Sequence, residues 1–250
     1  MVSTTESRVE APSAVFTAME VRAVAERVGL AAALPMLRRL PRGDGHPVFV
    51  LPGFVASDRS TAPLRSLLRD LGYRPAGWKL GQNLGPTPEI VDGMLRRFAH
   101  VAERDGEPVS LVGWSLGGIY ARELARRFPE AVRQVITMGS PIHMRPGDRS
   151  AVSRTWETVR HRHDAAVLDR TIPEMEKPPL AVPATSIYTR TDGVVHWTTC
   201  LIERTPTTEN VEVHGSHCGL GVNPWVAYVV ADRLSQPADG WRRFSPPLWL

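Results

Sequence analysis

The chain has 250 residues, 42% hydrophobic and 22% charged, a balance that suits one globular α/β domain and excludes a disordered or fibrous chain. Its formal charge is +4, and lysine occurs only at 79 and 177, so the excess is arginine; these arginines are scattered, with no basic stripe interleaved with aromatics, which argues against a nucleic-acid partner. No apolar run is long enough to span a bilayer, and residues 1–13 lack a basic stretch followed by an apolar core, so the expectation is a soluble cytoplasmic protein, with secretion or surface association left open.

Residues 1–12 are polar. Residues 13–40 read as one or two helices, with Val15, Phe16, Met19, Val24, Val28 and Leu34 at apolar spacing and Gly29 and Pro35 as punctuation. A helix packed on the side of the domain is expected ahead of a membrane-surface or lid helix. A turn-rich break at 41–47 precedes a buried strand at 48–51, which runs into Pro52, Gly53, Phe54 and Val55. Next come a helix over 60–71, capped near Ser60 or Thr61, and an edge strand within 73–79 weakened by Pro75 and Gly77. A Gly-rich loop at 81–86 contains Asn83, read as a turn residue rather than a substrate contact. Thr87 then caps a helix running to about 103.

Residues 107–128, EPVSLVGWSLGGIYARELARRF, join the two periodicities. An apolar run at 109–112 reads as a strand, 113–117 is a G-x-S-x-G turn around Ser115, and Ile119, Leu124 and Phe128 lie at helical spacing. A serine hydroxyl is a weak nucleophile and must stand clear of the backbone where a base can take its proton. A sharp strand-to-helix turn achieves this, provided Gly113 and Gly117 leave room for strand and helix to approach. The N–H of Leu116, at the helix start, would face a developing oxyanion, and the N–H of Phe54, beyond the first strand, is the natural second donor.

A strand over 132–138 follows, and residues 141–183 then break the alternation. This stretch reads as an amphipathic helix over 150–170 followed by Pro173, Pro178, Pro179 and Pro183, and fits a small cap over the strand ends. Within it, His161 and His163 are two apart and face different ways on a helix, so they do not chelate together; a solvated face is expected and no metal site. Strands at 184–188 and 210–213 follow, the first leading to Asp192 and the second to His217. A helix from 223 or 224 to about 235 comes next, and the Trp-containing end, 241–250, is expected to pack on the surface.

Ser115, Asp192 and His217 thus fall in that order, each past a strand end. Through VFVLPGF, SLVGWSLGG, TRTDGVV and VHGSHCGLGVNP the chain from 48 to 235 resembles the α/β-hydrolase family, specifically its lipase- and esterase-like members. It departs from many lipases at the oxyanion loop, which has Pro52-Gly53 in place of His-Gly. The resemblance implies an α/β fold with a mostly parallel sheet of about eight strands and helices on both faces. It also implies a serine carboxylic-ester hydrolase: Ser115 as nucleophile, His217 as base, Asp192 orienting it, and Phe54 and Leu116 N–H groups binding the oxyanion. A small ester or lipid-like substrate would suffice, with no metal or cofactor. His214 and His196 are rivals for the base. Trp114 and Trp197 are candidates for a hydrophobic acyl pocket. Since Asp192 and His217 would meet, Cys200 and Cys218 could form a disulfide pinning their loops; two reduced thiols fit equally. Thioesterase, acyltransferase, amidase or perhydrolase chemistry and a non-catalytic binding role are the competing functions.

Overall fold

The computed structural model describes residues 8–145, 147–163 and 174–247. Six strands form its sheet: β1 (Pro47–Leu51), β2 (Arg74–Gly77), β3 (Val109–Trp114), β4 (Val132–Met138), β5 (Ala184–Tyr188) and β6 (Thr208–Glu212). All neighbours are parallel, in the order β2-β1-β3-β4-β5-β6. Parallel strands covered on both faces are apolar throughout, and every residue of β1 and β5 is buried. Alternation still decides which face each side chain meets. Val48 and Val50 point into one core with Val112 and Ile136, whereas Phe49 and Leu51 join the other with Leu111 and Val135.

Among the described residues seven α-helices surround the sheet: α1 (Ala14–Ala18), α2 (Ala23–Leu37), α3 (Asp58–Asp70), α4 (Pro88–Asp105), α5 (Leu116–Arg127), α6 (Ser153–Val159) and α7 (Pro224–Leu234). Leu30 and Leu37 of α2, Leu64, Leu67 and Leu68 of α3, and Val226 and Val230 of α7 fill the first core. Met94 and Phe98 of α4 and Tyr120 and Leu124 of α5 fill the second.

Local signals explain most boundaries. Thr87 caps α4, its hydroxyl accepting from Ile90 N, and Gly106 ends the helix at φ 65°. Helix α3 starts two residues before expectation because Ser57, not Ser60 or Thr61, is its cap. The Asp58 carboxylate then accepts the N–H groups of Trp78 and Lys79, tying α3 to the chain beyond β2. Pro75 is tolerated because β2 is an edge strand. Among the described residues the sheet has six strands, roughly the number the resemblance implies, and residues 14–37, ahead of β1, are helical. Residues 13–40 do pack on the domain, through Leu30 and Leu37, but Val15, Val21, Val24 and Val28 stay exposed on the outer side. Of the expected helix over 150–170, Ser153–Val159 is α6 and Arg160–Arg162 a 3-10 turn, residues 150–152 and 163 are not helical, and 164–170 lie outside the described residues. Among the described residues no helix is long and apolar enough to cross a membrane.

At the amino ends of the strands, His46 bridges Asp44 through Nδ1 and Ser110 Oγ through Nε2, the latter at 2.9 Å. His46 and Ser110 are fully buried. Burial and the nearby Arg133 charge hold the His46 imidazole below its usual pKa against the opposing hydrogen bond to Asp44.

Candidate active site

β1 leads to β2 on one side and its neighbour β3 leads to β4 on the other, so the connections leaving β1 and β3 diverge beyond their carboxyl ends. Open α/β sheets bind ligands in the crevice beyond such a switch point. Two loops meet there. One follows β1 and carries Gly53 and Phe54; the other is the turn from β3 into α5 that carries Ser115.

Ser115 sits between the last residue of β3 and the first of α5 with φ 52° and ψ −122°. Its N–H donates to Met138 O at 2.8 Å, and its carbonyl accepts from Gly118 N at 3.0 Å. A side chain at 113 would lie 2.4 Å from the Gly117 carbonyl oxygen, and one at 117 would lie 2.4 Å from the Leu51 carbonyl oxygen. Both glycines are therefore required by close approach, as the pentapeptide spacing suggests. The N–H groups of Phe54 and Leu116 have no hydrogen-bond partner among the described residues. Phe54, Ser115 and Leu116 line one cavity of about 330 Å³, with Ile119, Met144, Val152, Trp156 and Val195 as apolar walls. Arg145, Asp148, Glu157 and Arg160 add charge to the lining.

Asn83 is fully buried and holds the loop after β1 in place. Its side-chain amide donates to Pro52 O at 2.9 Å, its Oδ1 accepts from Gly85 N and Tyr120 Oη, and its backbone pairs with Val55 and Ala56. It is neither a plain turn residue nor a substrate contact. Nothing in its local sequence signals a partner 31 residues away.

Asp192 follows β5 and His217 follows β6. Asp192 Oδ2 accepts from His217 Nδ1 at 2.6 Å, and both side chains are buried. The other carboxylate oxygen accepts from Val194 N and Val195 N, so Asp192 is held on both sides. Burial pushes the His217 pKa down, but the Asp192 charge and hydrogen bond, with a further contribution from Glu20, leave it above the usual imidazole value. His217 adjoins Trp114, the residue before Ser115: the indole N–H donates to His217 O at 3.1 Å, and the two rings lie 6.5 Å apart. Ser115 Oγ and His217 are not hydrogen-bonded to each other. The rival histidines lie elsewhere. His196 bonds Thr198 and stacks on Trp197, and His214 is exposed.

Several expectations change. Trp114 and Trp197 do not line the cavity. Trp114 is engaged by His217 and packs against the first core. Trp197 stacks on Tyr188 under the Arg190 guanidinium. Trp156 lines the cavity instead, edge-on to Phe54 and against His163. His163 is therefore not on a solvated face; its Nε2 donates to Leu84 O, while His161 is exposed. Asp164 lies outside the described residues. No group of three or more metal-ligating side chains occurs among the described residues. Cys200 and Cys218 are free thiols rather than a disulfide. Cys200 is enclosed with Tyr188 and Val195, whereas Cys218 is turned to the surface, its N–H bonded to Glu20.

No family model matches the chain, and no curated protein matches it in sequence. Its shape is matched among solved structures. The mature lipase BlEst2 of Bacillus licheniformis superposes with a TM-score of 0.56 at 16% identity, over 79% of this chain and 95% of that one. A structure of the metagenome-derived lipolytic enzymes LipS and LipT gives 0.54 at 15% identity, over 77% and 93%. Lipase B of Aspergillus fumigatus gives 0.55 at 15% identity, over 78% of this chain but 53% of that one. The chain has an α/β-hydrolase fold. At these identities the likeness concerns the fold, and the chemistry must be argued from the site.

Proposed function

We propose that this α/β-hydrolase-fold protein is a serine hydrolase of carboxylic esters that works through an acyl-enzyme. The observation carrying the proposal is the buried Asp192–His217 hydrogen bond, in a chain that also holds a serine at φ 52° on a strand-to-helix turn whose preceding Trp114 donates to His217 O. A hydroxyl set clear of the backbone, next to an oriented imidazole, is the arrangement acyl transfer to serine needs.

In the proposed reaction Ser115 Oγ attacks the ester carbonyl as His217 Nε2 takes its proton. Asp192 fixes the imidazole with its proton on Nδ1 and stabilises the imidazolium that forms. The Phe54 and Leu116 N–H groups bind the oxyanion; one such donor contributes about 3 kcal/mol in comparable sites. His217 then protonates the leaving alcohol, and water, activated by the same imidazole, releases the acid. The apolar cavity walls Ile119, Met144, Val152, Trp156 and Val195 suit an apolar acyl or alkyl group. No step of this mechanism calls for a metal or cofactor.

A panel of p-nitrophenyl esters of graded chain length, run beside acyl-thioesters and with Ser115→Ala as control, tests the reading. Ester hydrolysis by the wild-type chain should fall by a factor on the order of 10³ or more in Ser115→Ala, and a fluorophosphonate should label Ser115. Faster turnover of the thioesters would move the assignment to a thioesterase. Equal rates for wild type and Ser115→Ala, with no label, would leave a non-catalytic protein on this fold.

A further inference from the structure

The segment ahead of the sheet carries no motif, yet its inner side reaches both loops of the Asp192–His217 pair. Glu20, in the 3-10 turn between α1 and α2, places one carboxylate between them. Its Oε1 accepts from Gly193 N at 2.8 Å and from His217 N at 2.9 Å, and its Oε2 accepts from Cys218 N at 2.7 Å. Gly193 directly follows Asp192, so a single oxygen joins the acid's loop to the backbone of the histidine.

Neighbouring side chains strengthen the latch. Thr17 Oγ1 donates to Gly193 O at 2.8 Å. The Arg22 guanidinium donates to the carbonyls of Thr191 and Gly215. Glu26 Oε1 accepts from the N–H and hydroxyl of Ser216, and its Oε2 from Asn223 Nδ2. The fit at Gly193 is tight: a Cβ there would lie 2.3 Å from the Phe16 carbonyl oxygen. Charged acceptors on backbone N–H groups make short, strong hydrogen bonds, and Glu20 accepts three of them, from Gly193, from the proposed base His217 and from Cys218.

We propose that Glu20 is a positioning residue that fastens the Asp192 loop to the His217 loop and sets the field at the imidazole, making the helical segment 14–37 part of the site although it supplies no reacting atom. This rests on the serine-hydrolase reading. Asp192, from the loop after β5, bonds the His217 imidazole and Glu20 its backbone N–H; Glu26 and Arg22 from the amino-terminal segment meet its loop at Ser216 and Gly215, and the neutral Trp114 indole donates to its carbonyl. Glu20 is the anion among them, besides Asp192, that raises the His217 pKa. Glu20→Gln keeps a carbonyl acceptor but removes that charge, and sets an amide donor against Cys218 N–H. Glu20→Ala leaves three backbone N–H groups without their acceptor.

The test reads two quantities on the full chain. The first is the His217 imidazole titration by NMR, its resonance assigned from a His217→Gln spectrum. The second is kcat, KM and the pH profile of kcat/KM on a p-nitrophenyl ester. In Glu20→Gln the His217 titration and the acid limb of kcat/KM both move to lower pH. In Glu20→Ala kcat falls on the order of 10- to 100-fold with KM little changed, as expected for a misplaced base. Should Glu20→Ala not fold, the Glu20→Gln titration alone decides. An unmoved His217 titration in Glu20→Gln overturns the proposal. If Ser115→Ala hydrolyses as fast as wild type, the hydrolase reading falls instead, and the NMR titration still judges Glu20.

Discussion

A serine at φ 52° holds a backbone conformation that L side chains rarely adopt, at a cost of about 1–3 kcal/mol. Ser115 stays there because strand β3, helix α5 and the Met138 carbonyl leave its N–H and C=O no other arrangement. The proposed base has the opposite character: it is relaxed but electrically biased. An imidazole acting as base must be neutral, and the Asp192 carboxylate favours its protonated form. The acid limb of kcat/KM should therefore lie above the usual imidazole pKa near 6.5, with activity rising as His217 loses its proton; a limb below that value would speak against His217 as the base. Asn83 should act through geometry alone. Asn83→Ala removes the donor to Pro52 O and the acceptor for Gly85 N and Tyr120, destabilising the chain by about 1–3 kcal/mol. Because the Phe54 N–H rides on the same loop, kcat should fall more than KM rises, which steady-state kinetics at constant pH would reveal.

The elements meet at the two ends of the sheet, and each end has its own electrostatics. At the amino end, Asp44 and His46 precede β1 and Ser110 lies in β3, so their hydrogen bonds tie these strands together. His46 has a folded pKa below its unfolded one, so its contribution to stability is fully present above about pH 6.5 and is lost as pH falls through that value toward the folded pKa. Urea unfolding of wild type and His46→Asn at pH 7.5 and 5.5 checks this: the stability gap between them should narrow at the lower pH. At the carboxyl end, α1, α2 and the turn between them brace loops that would otherwise depend on β5 and β6 alone.

For the whole molecule, the alternation of strand and helix from β1 onward was legible because each strand is a short apolar run bounded by turns, as in VFVL and SLVGW. The order Ser115, Asp192, His217 pointed to one rim of the sheet for the same reason, since parallel strands put all their carboxyl ends there. What stayed hidden lies far away in sequence. Glu20 meets His217 across 197 residues and Asn83 meets Pro52 across 31, and no local pattern encodes such a pairing. Trp156 rather than Trp197 faces the cavity because side-chain direction, not proximity to Asp192 in the chain, decides it. The six described strands are roughly the number the resemblance implies, and the residues ahead of β1 form helices that meet the loops after β5 and β6.

The set formed by buried Ser110 and His46 with the exposed Asp44 has a consequence for counting molecules. Its hydrogen bonds are those of a charge-relay set, but no reagent can reach Ser110 in the native chain, and denaturation that would admit one also scatters its partners. Under the proposed function a phosphonate has its address at Ser115, and only while the protein is intact. Label stoichiometry would then measure the competent fraction of a preparation, with Ser110 shielded from the reagent.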